Sequence, residues 1–221
     1  LYNHVMTLPG DEIDAILGPL VKRIRKEGKI DRWEVPSPEY WVLRASAEGK
    51  SDQYDRGLFS IYFFNLIKLR SGQAIFQDAG IPHAYLQGQN IEVMANSDNV
   101  LRGGLTPKHI DVPELLRTVS FEGLVPNVIE GTIGDNPLVA FYECPTEDFL
   151  LSRIDLEQGD SYANSAESSE IVLVMVGNAE MACGRKCMSL SKGQSAVVFS
   201  GTDYRLAANF GRVGLIRVSL P

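Results

Sequence analysis

Leu69-Arg70-Ser71-Gly72-Gln73-Ala74 and Leu190-Ser191-Lys192-Gly193-Gln194-Ser195 follow one pattern, and each leads into an apolar strand. Extended without gaps, the alignment sets His83 opposite Tyr204, so the second copy has no histidine at that point. The reading is two related β-barrel units, of which only the first is equipped for metal chemistry. A generic strand–turn–strand segment would produce the same six residues, so the repeat is weighed together with its surroundings.

Working outward, everything after Gly123 reads as repeated short strands broken by Gly, Pro, Asn and Asp. That spacing predicts a sandwich or jelly-roll barrel rather than a parallel α/β sheet. Strands are also expected from Arg56 onward: Phe59, Ile61, Phe63 and Leu66 through Leu69, then Ala74-Ile75-Phe76 after the Ser71-Gly72 turn. Pro113 to Ser120 reads as a short helix. The opening quarter is helical, with Pro9-Gly10-Asp11 as the entry and Asp11, Glu12 and Asp14 at the positive end of the dipole. Ile13, Ile16, Leu17, Leu20, Val21 and Ile24 form one apolar stripe, Gly18-Pro19 is a potential kink, and Gly28 is a natural stop. A second short helix starts at Ser37-Pro38. The expected organisation is a helical segment over 1–55, a β unit over 56–124 and a jelly-roll domain over 125–221.

The bulk properties narrow the function. With 221 residues the chain can bury a substantial core. Its net charge of −7 argues against general nucleic-acid binding, although a few placed Arg and Lys can still receive a small phosphorylated ligand. No apolar stretch approaches the ~20 residues of a spanning helix, so no membrane role is expected. Cys144, Cys183 and Cys187 form no disulfide framework, which points to a reducing, cytoplasmic setting. Cys183 and Cys187 alone are a weak metal clip. The start, Leu1 to Met6, lacks the pattern of a signal peptide and has no initiator Met, so the chain is expected to begin inside a longer protein.

The chemistry concentrates in one segment. His83 follows Pro82 after the Asp78-Ala79-Gly80 turn, and Tyr85, Glu92, Asp98, Arg102 and Lys108 come within the next 25 residues. On pattern alone a polar turn accounts for them: Asx residues bend the chain, Arg102 pairs with Asp98, and Gly103-Gly104 supplies flexible backbone.

A longer match favours the functional reading. Pro82-His83-Ala84-Tyr85, then Ile91-Glu92-Val93-Met94, then Ser97-Asp98-Asn99-Val100-Leu101-Arg102-Gly103-Gly104-Leu105-Thr106-Pro107-Lys108 resemble the signature of the zinc-dependent mannose-6-phosphate isomerases. The resemblance is strong over roughly residues 56–120 and implies cupin-like barrels, with 56–124 as part of the catalytic one. It implies that His83 is one of four zinc ligands, the others being a Gln and a His from a Gln-x-His motif and a Glu. It implies that Arg102 acts at the reacting carbons while Tyr85, Glu92, Asp98 and Lys108 line the substrate pocket. The implied reaction interconverts mannose 6-phosphate and fructose 6-phosphate through an enediol. Such chemistry suits zinc as Lewis acid and a fixed guanidinium for the developing charge.

The chain departs from that family in its ligands. It has three His (His4, His83 and His109) and no Gln-x-His. The expectation is therefore a C-terminal part that lacks an N-terminal segment of the same protein, does not hold zinc tightly by itself and is inactive alone. The rival reading is a non-catalytic cupin-like module that binds carbohydrate or serves in assembly.

Overall fold

The structure is a computed structural model that describes residues 1–27, 37–48, 53–97 and 99–221. Gly28 and Asp98 lie outside the described residues. The chain divides into two compact units, one made of Leu1–Leu69, Gln77–Gln89 and Asp98–Pro126, the other of Arg70–Phe76, Asn90–Ser97 and Asn127–Pro221.

The first unit is helical. It contains α1 (Tyr2–Thr7), α2 (Gly10–Glu27), α3 (Pro38–Glu48), α4 (Ser60–Phe63) and α5 (Val112–Thr118). Helix α2 starts at the expected acidic turn and runs through Pro19 without a break. Its stripe of Ile13, Leu17, Val21 and Ile24 is buried against Val42 and Leu43 of α3 and against Leu58, Phe59 and Ile61. Phe59 and Ile61 were expected in a strand. Instead the Asp55 carboxylate accepts from the Gly57 amide at 2.7 Å and caps a helical turn over Arg56–Phe59 that continues into α4. An N-cap of this kind satisfies an amide that a strand would leave to a neighbour. Leu58, Phe59 and Ile61 then fall on one helical face. The short apolar run was ambiguous by period alone, and the cap decided it.

The second unit is a jelly-roll barrel. Its strands are β1 (Gln73–Ile75), β2 (Val128–Glu130), β3 (Thr132–Ile133), β4 (Val139–Tyr142), β5 (Leu150–Leu156), β6 (Ser161–Ser165), β7 (Glu170–Val176), β8 (Asn178–Cys183), β9 (Lys186–Ser191), β10 (Ser195–Val198), β11 (Asp203–Ala207) and β12 (Val213–Ser219). They form a six-stranded sheet ordered β10-β7-β12-β5-β4-β3 and a four-stranded sheet ordered β6-β11-β8-β9, with β1 and β2 paired separately. Alternate residues turn inward, as a half-buried strand requires. Ile154, Leu156, Val172, Val174, Leu206 and Leu215 are fully buried between the sheets. The fold class is thus mainly β, cupin-like, with a helical N-terminal segment, as the sequence implies.

The six-residue repeat at Leu69–Ala74 and Leu190–Ser195 is also one geometry. In the first copy the Gln73 amide donates to the Arg70 carbonyl at 3.0 Å while the Gln73 Oε1 accepts from the Arg70 amide at 2.8 Å. In the second the Gln194 amide donates to the Ser191 carbonyl at 2.9 Å, and its Oε1 accepts from the Ser191 amide at 2.7 Å. Gly72 and Gly193 have φ of 88° and 84°, the left-handed position that such a turn reserves for glycine. The two turns enter β1 and β10.

Candidate active site

The signature segment is held by the helical unit at several points. Asp78 begins a turn whose Ile81 amide donates back to the Asp78 carbonyl at 3.3 Å. The Gly80 carbonyl accepts from the Ser120 amide at 2.8 Å, just past α5. A Cβ on Gly80 would lie 2.8 Å from the Thr118 carbonyl oxygen, so only glycine permits this approach. Beyond the turn, Leu86 packs on the helical core and the Gln87 Oε1 accepts from the Arg44 guanidinium of α3 at 2.7 Å.

His83 and Tyr85 lie between these anchors and are exposed, with ring centroids 6.0 Å apart. The His83 Nδ1 is 3.0 Å from the Ile81 carbonyl oxygen. A carbonyl can only accept, so Nδ1 is the donor in this contact. A backbone partner at one ring nitrogen is how metal-binding imidazoles are commonly oriented. In the signature that this segment resembles, Ile91-Glu92-Val93-Met94 corresponds to an apolar strand bearing a Glu. Among the described residues 77–97 there is no strand. An extended segment becomes a strand only by sharing a ladder with a neighbour, and alternation at Ile91 and Val93 cannot supply one.

The Arg102 loop is built by close packing. Leu101 joins the small cluster of Met6, Leu115 and Val119. A Cβ on Gly103 would lie 2.8 Å from the Tyr2 hydroxyl, and one on Gly104 would lie 2.5 Å from the Gly57 Cα. Gly104 has φ of 124°, and Leu105 follows at φ 52° in a region that non-glycine residues seldom occupy. The two glycines therefore let the loop press onto the capped turn at Gly57; they do not loosen it. Arg102 is half-buried and has no ion-pair partner among the described residues. The expected Arg102–Asp98 pair falls on a residue outside the description. A partly desolvated guanidinium is suited to an anionic ligand. Lys108 is exposed, its amide donating to the Thr106 hydroxyl at 3.2 Å.

The structure thus brings His83, Tyr85, Arg102 and Lys108 onto the helical unit, while Glu92 is exposed in the barrel unit. Among the described residues no three His, Cys, Asp or Glu side chains converge to hold a metal. A zinc site takes three or four protein ligands, so these residues do not make one by themselves, and no chemical step is derived through zinc. Cys183 and Cys187 form no clip. Cys187 sits opposite Ala182 across β8 and β9, so the neighbouring Cys183 projects from the other face.

The sequence reading passed over the barrel's interior. Tyr204, the counterpart of His83 in the repeat, is buried on β11, and its hydroxyl donates to the Glu170 Oε2 at 2.5 Å. The Asn164 side-chain amide donates to the Glu170 Oε1 at 3.1 Å. Arg217 lies 4.0 Å from that oxygen, donates to the Tyr162 hydroxyl, and reaches the Ser152 hydroxyl at 3.0 Å. Burial, reinforced by the Glu170 carboxylate, pushes the Tyr204 phenol up from its ordinary value. Glu170 and Arg217 lie in strands that are apolar on both faces, so no alternation in the sequence marked either as facing inward.

No family model matches the chain. It is 39% identical over 222 residues to mannose-6-phosphate isomerase of Salmonella typhimurium, a match covering 98% of this chain and 52% of that protein. The Escherichia coli enzyme is 39% identical over 168 residues, 73% of this chain and 41% of that protein. Arabidopsis thaliana mannose-6-phosphate isomerase 1 is 31% identical over 95% of this chain and 47% of its own length. The chain therefore spans about half the length of the curated relatives it matches. Among solved structures, mannose 6-phosphate isomerase from Salmonella typhimurium bound to substrate (f6p) and zinc superposes with a TM-score of 0.75 at 28% identity, covering 99% of this chain and 53% of that one. A point mutant of the same enzyme reaches 0.79 at 31% identity with the same coverages.

Proposed function

We infer that this chain, a relative of the mannose-6-phosphate isomerases, works as part of a zinc-dependent enzyme that interconverts mannose 6-phosphate and fructose 6-phosphate. Residues 1–55 belong to its helical domain, 56–124 to its cupin-like catalytic domain and 125–221 to its C-terminal jelly roll. The observation that carries the reading is the half-buried Arg102 on a loop braced at Gly103 and Gly104, within a chain that superposes on a substrate-bound isomerase.

The proton shift between adjacent sugar carbons passes through an enediolate, whose charge needs a fixed, poorly hydrated cation. Arg102 has that role, since its guanidinium keeps its charge and can address two oxygens. Tyr85, Glu92, Asp98 and Lys108 contact the sugar phosphate, Lys108 being the cation for the phosphate or a hydroxyl. His83 supplies one zinc ligand through Nε2. The others (a Gln-x-His pair and a Glu) come from an N-terminal segment of the same protein, and the assembled enzyme is cytoplasmic.

The test is turnover of mannose 6-phosphate by the chain reconstituted with the half that its relatives carry beyond the match. Arg102→Ala should cut kcat by orders of magnitude with zinc content unchanged, whereas His83→Ala should lower zinc content and activity together. Near-normal turnover by Arg102→Ala would remove it from the mechanism.

A further inference from the structure

Arg102 stands on a segment that no regular element holds. Residues 100–110 form neither helix nor strand, and among the described residues none of them makes a backbone–backbone hydrogen bond. A guanidinium that meets charge as it develops must still stand in one place, since an ångström of misplacement can cost about a hundredfold in rate. What fixes it is the surface that the loop is pressed against.

That surface has two walls, both on the helical unit. Tyr2 of α1 is one. It packs in both apolar clusters of this unit, its ring lies 5.5 Å from that of Phe64, and its hydroxyl is the atom that a Cβ on Gly103 would meet at 2.8 Å. The capped turn is the other. A Cβ on Gly104 would lie 2.5 Å from the Gly57 Cα and 2.9 Å from the Asp55 Oδ1. That same oxygen accepts from the Gly57 amide. The Arg56 guanidinium donates to the Met6 carbonyl and ties the turn to α1, while Leu101 joins Met6 in the small apolar cluster. The residues on either side of Arg102 therefore rest on one connected platform.

We propose that Asp55 is a positioning residue for the reaction, holding the Arg102 guanidinium in register with the substrate through the backbone at Gly103 and Gly104. The proposal deepens the functional reading above and rests on its assignment of Arg102. Asp55 need not touch the substrate. One carboxylate oxygen closes the turn over Arg56–Phe59 and lies beneath the loop at the same time. Without an acceptor for its amide, Gly57 is the point at which that turn frays, and Gly57 is what Gly104 leans on. With the turn frayed, Tyr2 presses on the loop from one side and nothing fixed opposes it.

The experiment has two arms. The first measures turnover of mannose 6-phosphate by the reconstituted enzyme, at temperatures well below unfolding. Asp55→Ala should lower kcat roughly tenfold with KM little changed, less than the loss for a full ångström of misplacement. Asp55→Asn, whose side-chain oxygen can still cap the turn, should keep most of the parent kcat. Adding Asp55→Ala to Arg102→Ala should cost nothing further, because Asp55 acts through that guanidinium. The second arm uses this chain alone and reads the rate at which phenylglyoxal modifies Arg102, followed by peptide mass mapping. That rate should rise severalfold in Asp55→Ala and stay at the parent value in Asp55→Asn. An unchanged kcat or an unchanged modification rate in Asp55→Ala overturns the proposal, as does a loss that multiplies with that of Arg102→Ala. Near-normal turnover by Arg102→Ala would overturn the functional reading and the proposal with it, whereas slow Arg102→Ala beside fast Asp55→Ala overturns the proposal alone.

Discussion

Replacing Arg217 with Met probes the polar interior of the barrel, where Glu170 and Arg217 are the charged residues buried among those described. Their side chains are 5% and 10% exposed, so solvent screens the pair little. Removing the guanidinium leaves the Glu170 carboxylate with two donors, the Tyr204 hydroxyl and the Asn164 amide. It also strips the Tyr162 hydroxyl of its donor and leaves the Ser152 hydroxyl only the Arg217 main-chain carbonyl. Breaking a buried pair on one side costs about 3–5 kcal/mol. The two surviving donors put this case near the lower end, at about 3 kcal/mol. For a domain of this size that lowers Tm by on the order of 10–20 °C. Replacing both members, Glu170→Leu with Arg217→Met, removes the orphaned charge as well and should come within about 1 kcal/mol of the parent. A coupling energy of about 2–3 kcal/mol then emerges from the double-mutant cycle. The assay is urea unfolding followed by near-ultraviolet circular dichroism of Tyr162 and Tyr204, since buried Trp41 reports on the helical unit. A single-variant cost under 1 kcal/mol, or strict additivity in the cycle, would refute the claim that these residues act as one network.

Three further outcomes follow from the same geometry. Because the Tyr204 phenol is raised above its ordinary value of about 10, its stabilising effect is complete below pH 10 and is lost as pH climbs toward the folded value. The urea midpoint of the barrel should fall between pH 10 and 11, and Tyr204→Phe should flatten that slope; an unchanged slope would show that Tyr204 does not control it. Gly104→Ala puts a Cβ against Gly57 at a φ of 124°, so the helical unit should lose about 1–3 kcal/mol, read by Trp41 fluorescence during unfolding. Asp55→Ala removes the cap on the Gly57 amide and should cost about 1 kcal/mol in the same assay.

The helices α2, α3 and α5 were legible because each carries its own signals: acidic first turns, a proline near the start, and an apolar stripe at helical spacing. The barrel strands were legible because alternation reports which face is buried, whatever lies opposite. The turns at Gly72 and Gly193 were visible as a six-residue echo, since a left-handed residue calls for glycine and the following Gln closes its own turn. Residues 56–63 were misread as strand because their apolar run fits both periods until the Asp55 cap is seen. The stretch around Ile91 was misread because pairing is a property of two segments, and a sequence shows only one of them.

The chemistry divides in the same way. Residue types and spacing from His83 to Lys108 fitted a polar turn as well as a site, and it was the longer likeness to the isomerase signature that pointed to a kind of reaction. What the tertiary structure decided was how they are held. The hydrogen bond that orients His83, the glycine contact beneath Arg102 and the absence of three converging ligands among the described residues all depend on which distant segments meet. The buried Glu170–Tyr204–Arg217 cluster is of that kind too. Glu170 is 34 residues from Tyr204 and 47 from Arg217 in sequence, and only the closure of the barrel removes water from around them. Once water is excluded, each polar group must find its partner inside.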